Sequence, residues 1–176
     1  ARGKRNTMAY TTISYSVSDH VAHVALNRPQ ALNTMNREFW DEIPAVFAEI
    51  DADPRVRAVV LSSTGKHFTA GLDLNWAGTS LQNQSEDAGR AREKFRRHVL
   101  HMQETINVVD RCRVPVIAAI QGGCIGGGVD LVTACDMRVG SAECFFTVQE
   151  INIAIVADVG TLQRLPYLLP QGLIRE

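Results

Sequence analysis

The chain has 176 residues, 45% of them hydrophobic and 21% charged, with a formal net charge of −1 and a pI near 6.6. That composition fits one compact domain with its own core and argues against a second full domain. A nearly neutral chain carries no general basic field for nucleic acid or an anionic membrane, so its composition points to a small-molecule partner.

The opening ARGKRNTM is basic but lacks the apolar centre of a signal peptide. Residues 1–9 read as an extension or tag remnant, and 10–176 as the domain. Residues 11–17 and 21–27 flank SDH with β-branched, partly alternating runs, which predicts a β-hairpin. Phe39, Ile43, Val46, Phe47 and Ile50 recur at helical spacing, so a helix is expected over about 36–50. Pro44 sits inside that stripe and predicts a kink or a later start. RAVVLSS (57–63) reads as a short buried strand, and GKHFTAGLDL (65–74) as a glycine-punctuated loop.

Residues 77–88 are polar and expected to be mobile, followed by a long amphipathic helix to about 111. Phe95, Val99, Met102, Ile106 and Val109 line one face of it. Arg90, Arg92, Lys94, Arg96 and Arg97 form a basic cluster that reads as a solvated outer face rather than an anion site. PVIAAI (115–120) predicts a buried strand whose following glycines lead into a helix beginning near Gly127 or Gly128. Strands in DMRVGS and CFFTV and a short helix around GTLQRL complete the pass. Strands and helices alternate, so the fold class is α/β.

The four cysteines, at 112, 124, 135 and 144, form no C-x-x-C pair, and buried reduced thiols in a reducing compartment are expected. The apolar runs are too short and too interrupted by glycine to span a bilayer.

The glycine-rich stretch QGGCIGGGVD fits no phosphate motif. G-x-G-x-x-G fails from Gly122 and from Gly123, no GK[ST] follows, and no G-x-S-x-G elbow is present. What remains is a strand leading to a helix start with bare backbone amides and Asp130 in its first turn. Such a terminus favours an anion or a developing oxyanion. Tight strand–helix packing is the plainer reading of the same glycines.

The segment VQEINIAIVADVG (148–160) is almost wholly apolar, yet it holds Glu150 and Asp158 with no Lys or Arg among them. Loss of hydration would raise the pKa of such carboxyls. Asp158 before VGTLQRL is also a candidate helix N-cap.

GKHFTAGLDL, PVIAAIQGGCIGGGVDLVTACDMRVGS and GTLQRLP, in this order and spacing, resemble the crotonase (enoyl-CoA hydratase/isomerase) superfamily over about residues 10–176. The resemblance implies a crotonase (ClpP-like) spiral of ββα units, a coenzyme A thioester as ligand, and homotrimers or dimers of trimers. It also implies that carboxy-terminal helices lie beyond QGLIRE. Matched motif by motif, the amides of Leu72 and Gly127 would form the oxyanion hole. Two convergent donors stabilise an enolate more than the ground-state thioester, which makes proton abstraction at C2 feasible. RPQALNTMN resembles the family segment beside CoA, which assigns Ala31 and Leu32 to CoA binding, with Ala70 and Asp73 from the neighbouring motif.

In hydratases of the family the positions matching 130 and 150 are both Glu, and the position matching 158 is normally Gly. Asp130, Glu150 and Asp158 instead resemble the Δ3,5-Δ2,4-dienoyl-CoA isomerase branch. That branch removes a proton at C2 and returns one at C6, a span that two carboxyls serve better than one. Glu150 is assigned to C2 and Asp158 to C6, with the reverse open, and Asp130 is a supporting acid. No metal or redox cofactor is implied, and neither nucleic acid nor membrane is an expected partner.

Competing readings are an enoyl-CoA hydratase, a single-base Δ3-Δ2 enoyl-CoA isomerase, and a silent acyl-CoA-binding, scaffold or RNA-binding protein of this fold. Three intact acids argue against silence, and the lack of basic surplus argues against RNA. Trp76 and Ile155 are candidates for shaping the acyl pocket, with core packing the plainer role. The expected location is the cytoplasm of a bacterium, or alternatively a mitochondrial matrix or peroxisome.

Overall fold

The structure, a computed structural model, describes residues 10–80 and 87–175. Strands β1 (Ile13–Ser18) and β2 (Val21–Leu26) form the expected antiparallel hairpin, with Ile13 opposite Leu26 and Ser18 opposite Val21. Asp19 and His20 both take positive φ, 48° and 68°. A two-residue turn with both central residues left-handed matches the twist of the flanking strands.

Helix α1 (Arg37–Ala52) starts at Asn36, whose side chain accepts from the Phe39 amide at 3.2 Å. Its apolar stripe is buried as the spacing predicts, joined by Trp40. The helix neither starts late nor breaks at Pro44. Pro44 has no N–H for the carbonyl of Trp40, four residues earlier. The buried Thr105 hydroxyl, from a different helix, approaches that carbonyl at 2.9 Å and shares its proton with the His101 carbonyl at 3.0 Å. A tertiary donor thus replaces the missing helical one.

Strand β3 (Ala58–Ser63), helix α2 (Leu74–Ser80), helix α3 (Ala88–Asp110), and strands β4 (Val116–Ile120) and β5 (Gly123–Ile125) follow. The polar stretch 77–88 is therefore partly helical: 77–80 belong to α2, and Asp87 caps α3 by accepting from the Gly89 and Arg90 amides. Residues 81–86, on which the rest of the expectation falls, lie outside the described residues. Only the second half of α3 buries its stripe, through Ile106 and Val109, whereas Phe95 is half exposed. The basic cluster is exposed as expected, with Arg96 and Arg97 both paired to Glu93.

Helix α4 (Gly127–Thr133), strands β6 (Met137–Gly140) and β7 (Phe145–Thr147), and helices α5 (Thr161–Leu168) and α6 (Gln171–Arg175) complete the chain. The main sheet runs β1-β2-β3-β4-β6, parallel from β2 onward. Parallel neighbours require crossovers, which the helices supply. A second small sheet pairs β5 with β7. A single bridge at Thr69–Cys124 abuts β5, and another joins Met35 to Leu72. Strand β5 was not expected, because three residues between glycines read as a turn until a partner strand is known.

The core gathers Ile43, Phe47 and Ile50 of α1, Leu61 of β3, Phe68, Ile106 and Leu131, all fully buried. All seven residues of α4 are buried. The cysteines are unpaired, Cys124 and Cys135 buried and the other two half-buried. Burial pushes the Cys135 thiol up to about 12. Among the described residues no helix is long and apolar enough to cross a membrane.

Candidate active site

The two proposed oxyanion donors lie on turns that touch each other. Met35 bridges to Leu72 in parallel fashion: its amide donates to the Gly71 carbonyl at 2.8 Å, and its carbonyl accepts from the Asp73 amide at 3.1 Å. This pairing uses the groups flanking Leu72 and turns the Leu72 N–H away from Met35. Gly71 has φ 84°, and a Cβ there would lie 2.7 Å from the Ile125 carbonyl oxygen. Only glycine lets the 70–73 turn lie this close to the 125–128 turn.

On the facing turn, Gly126 has φ 55° and donates to the Thr147 carbonyl at 2.8 Å. Gly127 then opens α4, where the first amides have no intrahelical acceptor. Neither the Leu72 nor the Gly127 amide has a hydrogen-bond acceptor among the described residues. Close packing accounts for the remaining glycine: a Cβ on Gly128 would lie 2.4 Å from Thr69 Cγ2. The packing reading thus holds for Gly128, while Gly127 opens the helix with an amide that has no acceptor among the described residues.

Asp130, on α4, is fully buried. Its Oδ1 accepts from the Thr161 amide at 2.6 Å, and its Oδ2 has no partner among the described residues. Burial raises its pKa, countered by Thr161 and by Arg164, while the charge of Asp158 pushes it further up. Glu150 follows β7 at the start of a short 3-10 turn, is 8% exposed, and holds Oε2 without a partner among the described residues. A Cβ on Gly126 would come within 3.2 Å of Glu150 Oε1, so this carboxyl lies against the Gly126–Gly127 turn. Burial raises its pKa too, and Asp130 and Asp158 add to the rise.

Asp158 differs from its expected environment. It is exposed, although Ala157 and Val159 on either side are buried. An apolar segment alternating in this way anchors through its flanking residues and leaves the carboxyl at the open face. Nor is it the cap of α5: the N-cap position is Gly160, without a side-chain cap bond, and Asp130 reaches from α4 to bind the first amide of that helix. The capping assignment is corrected accordingly. Among the described residues no group of three His, Cys, Asp or Glu side chains is arranged to hold a metal ion.

The segment assigned to CoA wraps around the same turn. Ala31 ends a 3-10 turn begun at Pro29, and Leu32 is left-handed and half exposed. The Ala70 amide donates to the Leu32 carbonyl at 3.0 Å, joining the two assigned stretches. Asp73 is engaged with its neighbours: it pairs with Arg28 at 3.3 Å, accepts from the Thr34 hydroxyl at 3.2 Å and from the Trp76 amide at 3.3 Å. These bonds outweigh burial and hold its carboxyl below the usual range. Trp76 and His98 meet edge to face at 5.5 Å, while Ile155 is half exposed.

The family model described as enoyl-CoA hydratase/isomerase matches residues 16–176. The chain belongs to the enoyl-CoA hydratase/isomerase family. It is 50% identical over 163 residues to the human mitochondrial Δ3,5-Δ2,4-dienoyl-CoA isomerase, covering 92% of this chain and 50% of that protein. With the peroxisomal protein of the same name from Arabidopsis thaliana it shares 46% identity over 160 residues, covering 89% of this chain and 57% of the relative. The chain therefore spans about half the length of these relatives. Among solved structures, an enoyl-CoA hydratase from Shewanella pealeana superposes with a TM-score of 0.84 at 20% identity, over 94% of this chain and 60% of the other. An enoyl-CoA hydratase from Bacillus anthracis gives 0.80 at 30% identity, over 94% and 61%. The crotonase fold is thus the fold of this chain.

Within the enoyl-CoA hydratase/isomerase fold, two residues beside the acids escaped the sequence reading. The Thr161 amide orients Asp130, and the Gln103 side chain donates to the Asp158 carbonyl at 2.8 Å. Gln103 carried one faint signal, a polar side chain one position from Met102 on the apolar stripe of α3.

Proposed function

We propose that this chain supplies the catalytic groups of a Δ3,5-Δ2,4-dienoyl-CoA isomerase acting in the oxidation of unsaturated fatty acids. The observation that carries the reading is the three-acid arrangement: Asp130 and Asp158 both raise the pKa of Glu150, which lies against the Gly126–Gly127 turn. The relatives bearing this name support it, as does Asp158 at the position where the family resemblance leads one to expect glycine in a hydratase.

In this reading the thioester oxygen of a 3,5-dienoyl-CoA accepts from the Leu72 and Gly127 amides. Glu150 acts as the base that removes a proton from C2, forming a fully conjugated enolate whose charge reaches the thioester oxygen. Electron density then returns through the conjugated chain, and the Asp158 carboxyl delivers a proton to C6. The C2–H bond breaks and a C6–H bond forms, leaving the 2,4-dienoyl-CoA. Glu150 ends protonated and Asp158 ionised, and a proton exchange between them through solvent restores the starting state. Mutual repulsion among the carboxyls favours one charged and one neutral member. Asp130, bound to the Thr161 amide, biases that division without touching the substrate.

Ala31, Leu32 and Ala70 belong to the CoA side of this reading, with Asp73 ordering the loop through Arg28. Proton transfers and an oxyanion site suffice for the chemistry, so no metal or redox cofactor takes part. Assembly as a trimer or dimer of trimers, in the mitochondrial matrix or a peroxisome, belongs to the same reading. The exposed apolar side chains of the second half and the compartments in the relatives' names support it.

The test uses the full-length protein with 3,5-octadienoyl-CoA, following absorbance of the 2,4-dienoyl product. Activity in the wild type and a fall of about 100-fold or more in Asp158→Asn are expected, the scale of losing one general acid. Water addition to crotonyl-CoA without isomerisation would return the protein to the hydratases.

A further inference from the structure

Asp158 is the one acid of the three that is exposed, so burial does not hold its carboxyl in place. Its backbone is held instead from α3. Gln103 Nε2 donates to the Asp158 carbonyl oxygen at 2.8 Å, while the Asp158 amide donates to the Val156 carbonyl at 2.9 Å in a tight turn. Two residues further on, Gly160 has φ 141°, and its Cα lies under the Arg164 guanidinium: a Cβ there would be 1.8 Å from Nη1. Arg164 is tied to the same face of α3, through Asn107 Oδ1 at 2.7 Å and Asp110 Oδ2 at 3.4 Å.

Gln103, Asn107 and Asp110 are spaced i, i+4 and i+7, and so share one face of the helix. That face grips the 158–164 segment at two points, one directly on the Asp158 peptide and one beyond Gly160. The opposite flank of the segment is fixed by Asp130, through the Thr161 amide. Asp158 is therefore suspended between α3 and α4, held by the Gln103 hydrogen bond and by its buried neighbours Ala157 and Val159.

We propose that Gln103 is a positioning residue for Asp158, holding its peptide so that the carboxyl meets the far end of the reacting diene. The inference rests on the isomerase reading and assigns a part to a residue that touches neither substrate nor oxyanion. A carbonyl released from Gln103 lets the Asp158 turn rotate, while Glu150 and the Leu72 and Gly127 amides, which lie on other elements, keep their places. The C6 step then suffers and the C2 step does not. Displacements of about 1 Å at a reacting group reduce rates by about 100-fold.

The experiment uses the full-length protein with 3,5-octadienoyl-CoA in deuterated water. Two rates are measured together: washout of the C2 protons from recovered substrate, and formation of the 2,4-dienoyl product. Gln103→Met keeps the length of the side chain and removes the donor. Gln103→Glu keeps its shape and sets an acceptor against the Asp158 carbonyl.

For both variants the expected result is a fall of about 10- to 100-fold in kcat for product, with KM and C2 washout retained. The ratio of washout to product formation then rises, more in Gln103→Glu than in Gln103→Met. A general loss of structure lowers both rates in parallel and leaves that ratio unchanged. An unchanged ratio in the two variants, whether both rates fall or neither does, overturns the positioning role while the isomerase reading stands. Failure of the wild type to form the 2,4-dienoyl product overturns the isomerase reading, and the role falls with it.

Discussion

At the residue scale, Asp130 combines two tasks that pull its chemistry in opposite directions. It is buried deeply enough to resist ionisation, yet its Oδ1 holds the first amide of α5 at 2.6 Å. An amide side chain keeps the acceptor and removes the ionisation. Asp130→Asn is therefore expected to retain stability, whereas Asp130→Ala leaves the Thr161 amide unpaired and destabilises by about 1–3 kcal/mol in urea unfolding. Asp130 and Glu150 both have pKa values raised above their ordinary 3.8 and 4.5. The folded state then binds protons more tightly than the unfolded one, so stability declines as pH rises from the ordinary carboxylate range through the raised values. Below that range the penalty is absent. Unfolding free energy measured across this window should fall with pH in the wild type and fall less steeply in the Asp130→Asn, Glu150→Gln double variant.

At the scale of elements, Pro44 is the most instructive departure from expectation. Its position in the apolar stripe predicts a break, and the helix continues because Thr105 of α3 supplies a hydroxyl to the Trp40 carbonyl. The compensation lies 61 residues away along the chain, where no local rule looks. Thr105→Val should cost about 1–3 kcal/mol by leaving that buried carbonyl without a donor. In a Pro44→Ala background the restored amide can take the carbonyl itself, so the cost of Thr105→Val should be smaller. A double-mutant cycle by denaturant unfolding measures the difference, and strict additivity would sink the account. Strand β5 shows the complementary case. Gly123 and Ile125 pair with Phe145 and Thr147 of β7, and the three residues count as a strand only because that partner is there.

At the scale of the whole molecule, the distribution of exposed apolar side chains is uneven. Ile151, Val156 and Tyr167 are 78%, 64% and 91% exposed, beside Met137, Val139 and Phe146 in the same half of the chain. Large apolar side chains left this exposed are candidates for burial against a partner. The 176-residue chain is expected to associate with rising concentration in sedimentation velocity, and Ile151→Glu with Val156→Glu to shift it toward smaller species. The basic cluster on α3 is different in character: Arg96 and Arg97 are engaged with Glu93 on a solvated face.

The hairpin, the stripe of α1, the strands and the glycine-opened helix α4 were legible in the sequence because each has a local signal: β-branched runs around SDH, a 3.6-residue period, a short apolar β-branched run, a strand ending in glycine. Glu150 and Asp158 were legible as unpaired carboxylates in an apolar segment, and the three-motif pattern was enough to find the family that the comparisons bear out. What local signals could not decide was environment. Glu150 is buried and Asp158 is exposed within one apolar run, because the segment's neighbours in space, α3, α4 and the 125–128 turn, cover one and leave the other open. Tertiary contacts likewise decided that Asp130 caps α5, that Thr105 repairs α1, and that Gln103 grips the Asp158 peptide. Burial, hydrogen-bond partners and pKa depend on what the fold brings alongside a residue, and sequence spacing reports only what the chain brings.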